Sequence, residues 1–150
     1  MKTPAIYPFL ILLTIALTSC KKEFPKDPLA MNNLTVSDCK IKGDNAKGIV
    51  PEYITIKTVD DYYLLFSHIN SLFNCEPGEI IVSTGISSDT ITINEDAAKA
   101  DANCVCPYDI EFKLGPLEYG NFTIVFQKTG LTFKEYSLTY KKSTNIRIDI

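Results

Sequence analysis

Cys104-Val-Cys-Pro-Tyr-Asp-Ile-Glu-Phe-Lys-Leu114 alternates with a period of two. Cys104, Cys106, Tyr108, Ile110, Phe112 and Leu114 share one parity, and Val105, Pro107, Asp109, Glu111 and Lys113 share the other. Successive side chains of a strand point to opposite faces, so the run predicts a half-buried β-strand. Both thiols are expected to face inward with the aromatic and aliphatic residues. This strand is where the core should be built and cross-linked.

The flanking sequence repeats the pattern in shorter pieces. Leu34 to Cys39 predicts a first strand, 42–48 a loop, and Tyr53 to Val59 a β-branched, alternating strand. Tyr62 to Phe73 is ambiguous. Tyr62, Leu65, Phe66, Ile69 and Phe73 fall at helical spacing, but the run is aromatic-rich and lies among strands, so it is expected to be β. Further strands are predicted over Glu79–Thr84, Thr90–Asn94, Asn121–Gln127, around Tyr136–Tyr140 and over Ile146–Ile150. Glu95 to Asn103 is expected as a polar connection. Eight or nine short strands with turn signals every 8–12 residues mark an all-β sandwich or barrel. Within Leu114-Gly-Pro-Leu-Glu-Tyr-Gly-Asn-Phe-Thr-Ile-Val-Phe126, a leucine can plug the core, a glycine can turn, and an aromatic can open the next strand. That connection resembles those of immunoglobulin-like and fibronectin type III-like sandwiches, and the expected fold is a sandwich of that kind with about 7–9 strands.

The N-terminus gives the address. Lys2 precedes an apolar run from Ile6 to Leu17, and Leu17-Thr-Ser-Cys20 closes it with an aliphatic residue, two small residues and a cysteine. This is the layout of a lipoprotein signal, in which residues 1–19 are removed and Cys20 carries the acyl chains. Two or three such chains anchor stably where one is marginal. Cleavage leaves 131 of the 150 residues, enough for one domain. Residues 20–33, with Pro25 and Pro28, are expected as a lipidated tether reaching about 45 Å, and 34–150 as the folded domain.

With Lys2 gone, the 15 Lys and Arg fall to 14 against 18 Asp and Glu, a net charge of −4. A mildly acidic chain without a basic cluster is a poor partner for nucleic acid. Lys21-Lys22 suits anionic headgroups beside the anchor instead.

Four cysteines remain: Cys39, Cys75, Cys104 and Cys106. Outside the cytoplasm an even number favours disulfides. A Cys104–Cys106 bridge is the least favoured of the three pairings, because residues i and i+2 of a strand sit about 6.5–7 Å apart. The other two stay open, and each bridge in them would be worth about 3–4 kcal/mol on a chain-entropy basis.

Phe73-Asn-Cys75, Cys104-Val-Cys-Pro-Tyr-Asp109 and Gly120-Asn-Phe-Thr-Ile124, together with the lipobox, resemble small cell-envelope lipoproteins of Bacteroides-type bacteria that carry a C-x-C-P-x-D strand. The resemblance implies a lipid-anchored β-sandwich without assigned activity. It carries over no catalytic residue.

Few residues offer chemistry. His68 is the single histidine and stands in an apolar run without a serine elbow or H-E-x-x-H, so a structural or surface role is expected. The four thiols could hold Cu(I) or zinc, but their spacing matches no knuckle, which favours disulfides. Glu95, Asp96 and Asp101 lack calcium-loop spacing and are expected to be a solvated acidic loop. Among the tyrosines, Tyr119 at a turn is the candidate ligand contact, while Tyr108, Tyr136 and Tyr140 are expected in the core. No cofactor is expected. The leading expectation is a non-enzymatic outer-membrane lipoprotein that binds or supports an envelope protein or glycan. A thiol-based copper or zinc binder and a small envelope enzyme using His68 are the rivals.

Overall fold

A computed structural model of the chain describes residues 24–40, 51–99 and 103–150. The signal segment, Cys20, Lys21-Lys22, the loop at 42–48 and Asp101 lie outside the described residues. Among those described, no helix is long and apolar enough to cross a membrane.

Nine strands form two sheets: β1 (Ala30–Val36), β2 (Tyr53–Val59), β3 (Tyr63–Asn74), β4 (Ile80–Ser87), β5 (Thr90–Ala97), β6 (Val105–Gly115), β7 (Gly120–Lys128), β8 (Leu131–Tyr140) and β9 (Asn145–Asp149). Sheet A runs β1-β6-β3-β2-β9 and sheet B runs β4-β5-β7-β8. The chain is thus an all-β sandwich. β5 is parallel to β7, and the other pairs are antiparallel.

Alternation explains how the sheets meet. Ile54 and Ile56 of β2, Leu64 and Phe66 of β3, and Cys106, Tyr108, Ile110, Phe112 and Leu114 of β6 bury one face of sheet A. Ile91, Ile93, Ile124, Phe126, Leu138 and Tyr140 answer from sheet B. Phe66 stacks on Phe112 with centroids 5.3 Å apart and meets Phe126 edge-on across the gap. Leu117, in the crossover from β6 to β7, is buried and plugs one end of the core, its N–H donating to the Tyr62 carbonyl at 2.8 Å.

Two sequence expectations shift. β1 begins at Ala30, four residues before Leu34, and Leu29 and Met31 pack against the core. Ala30-Met-Asn-Asn33 hides this because β1 is a mostly exposed edge strand whose pairing with β6 is interrupted at Asn33, a residue with φ of 56°. Alternation is a weak signal where neither face is deeply buried. The second shift concerns Tyr62–Phe73, which is a strand, but one with a bulge. Ile69 and Asn70 together stand opposite Asp109, and Asn70 has a left-handed φ of 61°. A bulge adds one residue and moves the following side chains to the other parity. Leu64, Phe66 and His68 point inward before it, and Ser71 and Phe73 after it.

Candidate functional site

The bulge builds the most polar spot in the interior. It lets His68 and Ser71, three residues apart, both face sheet B. Opposite them, β5 carries Ile91, Ile93 and then Glu95 at successive inward positions. Glu95 is 2% exposed and His68 3% exposed. Nδ1 of His68 lies 2.8 Å and 2.9 Å from the two carboxylate oxygens of Glu95, and Ser71 Oγ donates to Glu95 Oε2 at 3.0 Å. The expected solvated acidic loop is therefore corrected, because β5 runs to Ala97 and takes in both Glu95 and Asp96. Glu95 belongs to a strand, and strand parity aims it into the core.

The other imidazole nitrogen meets a second carboxylate. Nε2 lies 3.0 Å from Glu52 Oε1, just ahead of β2. This is an ion-pair contact without hydrogen-bond alignment, since Nε2 has no aligned acceptor. Lys128, at the end of β7, reaches Glu52 Oε1 at 3.5 Å and the Leu72 carbonyl at 3.3 Å. Its ammonium lies 4.8 Å from the centre of the Phe73 ring, and Phe133 of β8 stacks on the imidazole at 5.9 Å. Burial by itself pulls the His68 pKa down, but the carboxylates of Glu52 and Glu95 outweigh it and hold it above the ordinary value. Burial likewise pushes Glu52 up, and His68 with Lys128 overcome that and hold its carboxyl below the usual range. With His68 protonated, two anions face two cations and the group is neutral.

This is not the arrangement of a nucleophilic relay. In a Ser-His-acid triad the serine meets the imidazole nitrogen opposite the acid. Here Ser71 and His68 share the same carboxylate, and Ser71 is fully buried. What the arrangement can do is tie β3 of sheet A to β5 of sheet B. Sequence reasoning placed His68 structurally but missed Glu52, Ser71, Glu95 and Lys128. The inward parity of Glu95 behind Ile91 and Ile93 was the available signal.

The cysteines pair as Cys39–Cys106 and Cys75–Cys104, with Cα atoms 5.7 Å and 5.5 Å apart. Cys106 is inward and fully buried, as expected. Cys104 is not. It precedes β6, lies exposed at the rim, and its carbonyl accepts from Cys75 N at 3.1 Å. The alternation runs one residue beyond the layer that can bury it. Among the described residues, no cluster of three or more His, Cys, Asp or Glu is arranged to hold a metal ion.

Beside this rim, between β1 and β4, opens a groove of about 520 Å³. Leu34, Val36, Pro77, Ile80 and Tyr108 contribute apolar side chains to its lining, and Ser37, Asp38 and Glu79 contribute polar ones. Burial, and then the nearby Asp38 carboxylate, raise the Tyr108 pKa.

Tyr119 lies at the opposite end of the sandwich, away from this groove. It is 42% exposed, donates its hydroxyl to the Asp61 carbonyl at 2.9 Å, and packs against Tyr62 and Tyr140 at 5.6 Å and 5.0 Å. Comparison with protein-family models, with curated proteins and with solved structures found no match to this chain.

Proposed function

We propose that the chain is a non-enzymatic lipoprotein of the bacterial outer membrane, anchored through Cys20, whose domain serves as an accessory binding module for an envelope protein or glycan. The lipobox supports the address. The observation that carries the role is the separation of reactive groups from accessible surface. His68 is 3% exposed with both ring nitrogens against carboxylates, and the four sulfurs are paired. An accessible groove among the described residues is instead lined by both apolar side chains and the polar groups of Ser37, Asp38 and Glu79. A concave site that sets placed polar groups among apolar side chains is the default location for ligand binding. The rival readings have less support, because thiolate metal binding needs free thiols and catalysis by His68 needs solvent access.

Two measurements test this reading. Cells expressing the full chain and fed labelled palmitate should label the wild type and not Cys20→Ala; equal labelling or none at all overturns the anchor. A photo-crosslinking residue at Val36, in the groove, should yield a discrete protein- or glycan-sized adduct on intact envelopes. The same residue at Leu131, in β8 on the edge of sheet B opposite the groove-lining β4, should not. No adduct at Val36, or the same pattern at both positions, overturns the binding role.

A further inference from the structure

We infer that the aromatic end of the sandwich, formed by Phe24, Tyr62 and Tyr119 over Tyr140, rests on the bilayer surface, and that the groove is held at the end facing away from it. The inference rests on the lipid anchor at Cys20 proposed above. It starts from a contact the sequence did not foretell. Phe24, expected in a free tether, packs edge-on against Tyr62 with centroids 5.1 Å apart. From there the chain runs past Leu29, against the core, into β1 at Ala30. The freely extending length is therefore not the whole of 20–33. Three residues lie between Cys20 and Phe24, so the two Cα atoms are at most about 14 Å apart when the chain is fully extended. A lipidated Cys20 lies at the membrane interface, so the Phe24 backbone must lie within that distance of it, with the Tyr62 ring packed 5.1 Å beyond the Phe24 ring.

The surface held there suits the location. Tyrosine is enriched at membrane interfaces because its ring accepts the apolar side and its hydroxyl the polar side. The hydroxyls of Tyr119 and Tyr140 both donate to the Asp61 carbonyl, at 2.9 Å and 3.0 Å. Their rings form one cluster with Tyr62 and Phe122. The neighbouring carboxylates are matched by cations: Asp60 pairs with Lys113 at 2.6 Å and Asp61 with Lys142 at 2.9 Å. Glu118 beside Tyr119 is exposed, and Lys21 and Lys22 lie between the anchor and Phe24 in sequence. The strand register fixes the opposite end. Gly120 pairs with Tyr140 near the aromatic cluster and Lys128 with Leu131 at the far turn, about 27 Å along the strand at the usual rise. β3 likewise begins beside Tyr62 and ends at Asn74, next to Cys75 and the groove. A lipid-docked aromatic end thus presents the groove outward.

The chain contains no tryptophan, so single substitutions supply clean fluorescent reporters. The full lipidated protein is reconstituted into vesicles of phosphatidylethanolamine and phosphatidylglycerol carrying brominated acyl chains. Tyr119→Trp and Phe24→Trp are compared with Leu131→Trp, whose site is 73% exposed at the far turn. Quenching several-fold stronger at both Tyr119→Trp and Phe24→Trp than at Leu131→Trp supports the docked orientation. Equal quenching at the three sites, quenching at only one of the two aromatic-end sites, or none, overturns it. Intact mass of the same preparation separates the two layers. A diacylglyceryl adduct on Cys20 with unquenched reporters removes the orientation alone, and a chain without the adduct removes the anchor and this inference together. Thermal unfolding of each variant confirms that the reporters sit in folded protein; if Tyr119→Trp fails to fold, Phe24→Trp against Leu131→Trp decides.

Discussion

His68 Nδ1 sits 2.8 Å from Glu95 Oε1, and this contact joins the two sheets through their shared interior. Both side chains are almost wholly buried. Removing one partner strands the other in a medium that solvates it poorly. Glu95→Ala should therefore cost about 3–5 kcal/mol, while a Glu95→Met/His68→Leu pair, which removes both charges, should recover most of that loss. Urea unfolding with an unchanged m-value is the measurement. A Glu95→Ala protein as stable as the wild type would show that the contact contributes nothing.

The same group sets a pH profile. The folded pKa of His68 is raised above its ordinary value of 6.5, so its contribution is complete below about 6.5 and fades as pH climbs through the raised value. Glu52 is lowered from 4.5, so its contribution is complete above about 4.5 and is lost as pH falls through the lowered value. Stability should be greatest between those limits and decline above neutrality. His68→Gln should flatten the alkaline decline and, because His68 also helps hold the Glu52 carboxyl low, weaken the acid limb as well. Melting temperature against pH for both proteins reads this directly, and an unchanged alkaline decline in His68→Gln counts against the assignment.

The two disulfides should differ in both strength and accessibility. Cys39–Cys106 closes 67 residues and Cys75–Cys104 closes 29. Chain entropy puts their stabilisation at about 4.5 and about 3.5 kcal/mol. Cys106 is sealed in the core, whereas Cys104 is exposed, so mild reductant should open Cys75–Cys104 first. Differential alkylation followed by mass spectrometry should find label on Cys75 and Cys104 before Cys39 and Cys106; the reverse order contradicts the burial argument.

Asn70 holds the bulge that gathers the buried polar group. Its N–H donates to Asp109 Oδ1 at 3.0 Å, its Nδ2 to the Pro51 carbonyl at 2.7 Å, and its Oδ1 accepts from Lys40 Nζ at 2.8 Å. A β-branched residue at this left-handed φ meets steric strain as well as losing those bonds. Asn70→Val should cost about 3 kcal/mol or more, and Asn70→Gly distinctly less, because glycine keeps the φ and loses only the side-chain bonds. Chemical denaturation of the two variants tests the order of the effects.

The bulge also explains why Tyr62–Phe73 looked half helical. One inserted residue turns a spacing of two into a spacing of three, and three is what a helix shows. Phe66, Ile69 and Phe73 mimic a helical stripe although only Phe66 and Phe73 are buried. The strand over Val105–Leu114 has no such interruption, and there parity alone placed Cys106, Tyr108, Ile110, Phe112 and Leu114 correctly. Cys104 broke the rule because parity predicts a direction, and burial also needs a layer to point into.

The order of residues along the chain was sufficient for the all-β sandwich, its inward faces and the identity of the cysteines available for bridging. These follow from a local period and from composition, which a linear string carries in full. Which cysteine meets which, that Glu52, Glu95 and Lys128 converge on His68, and that Phe24 folds back onto Tyr62 were decided by the tertiary structure alone. Those contacts depend on how two sheets are ordered and laid over one another, and that order is fixed by the cooperative burial of all nine strands.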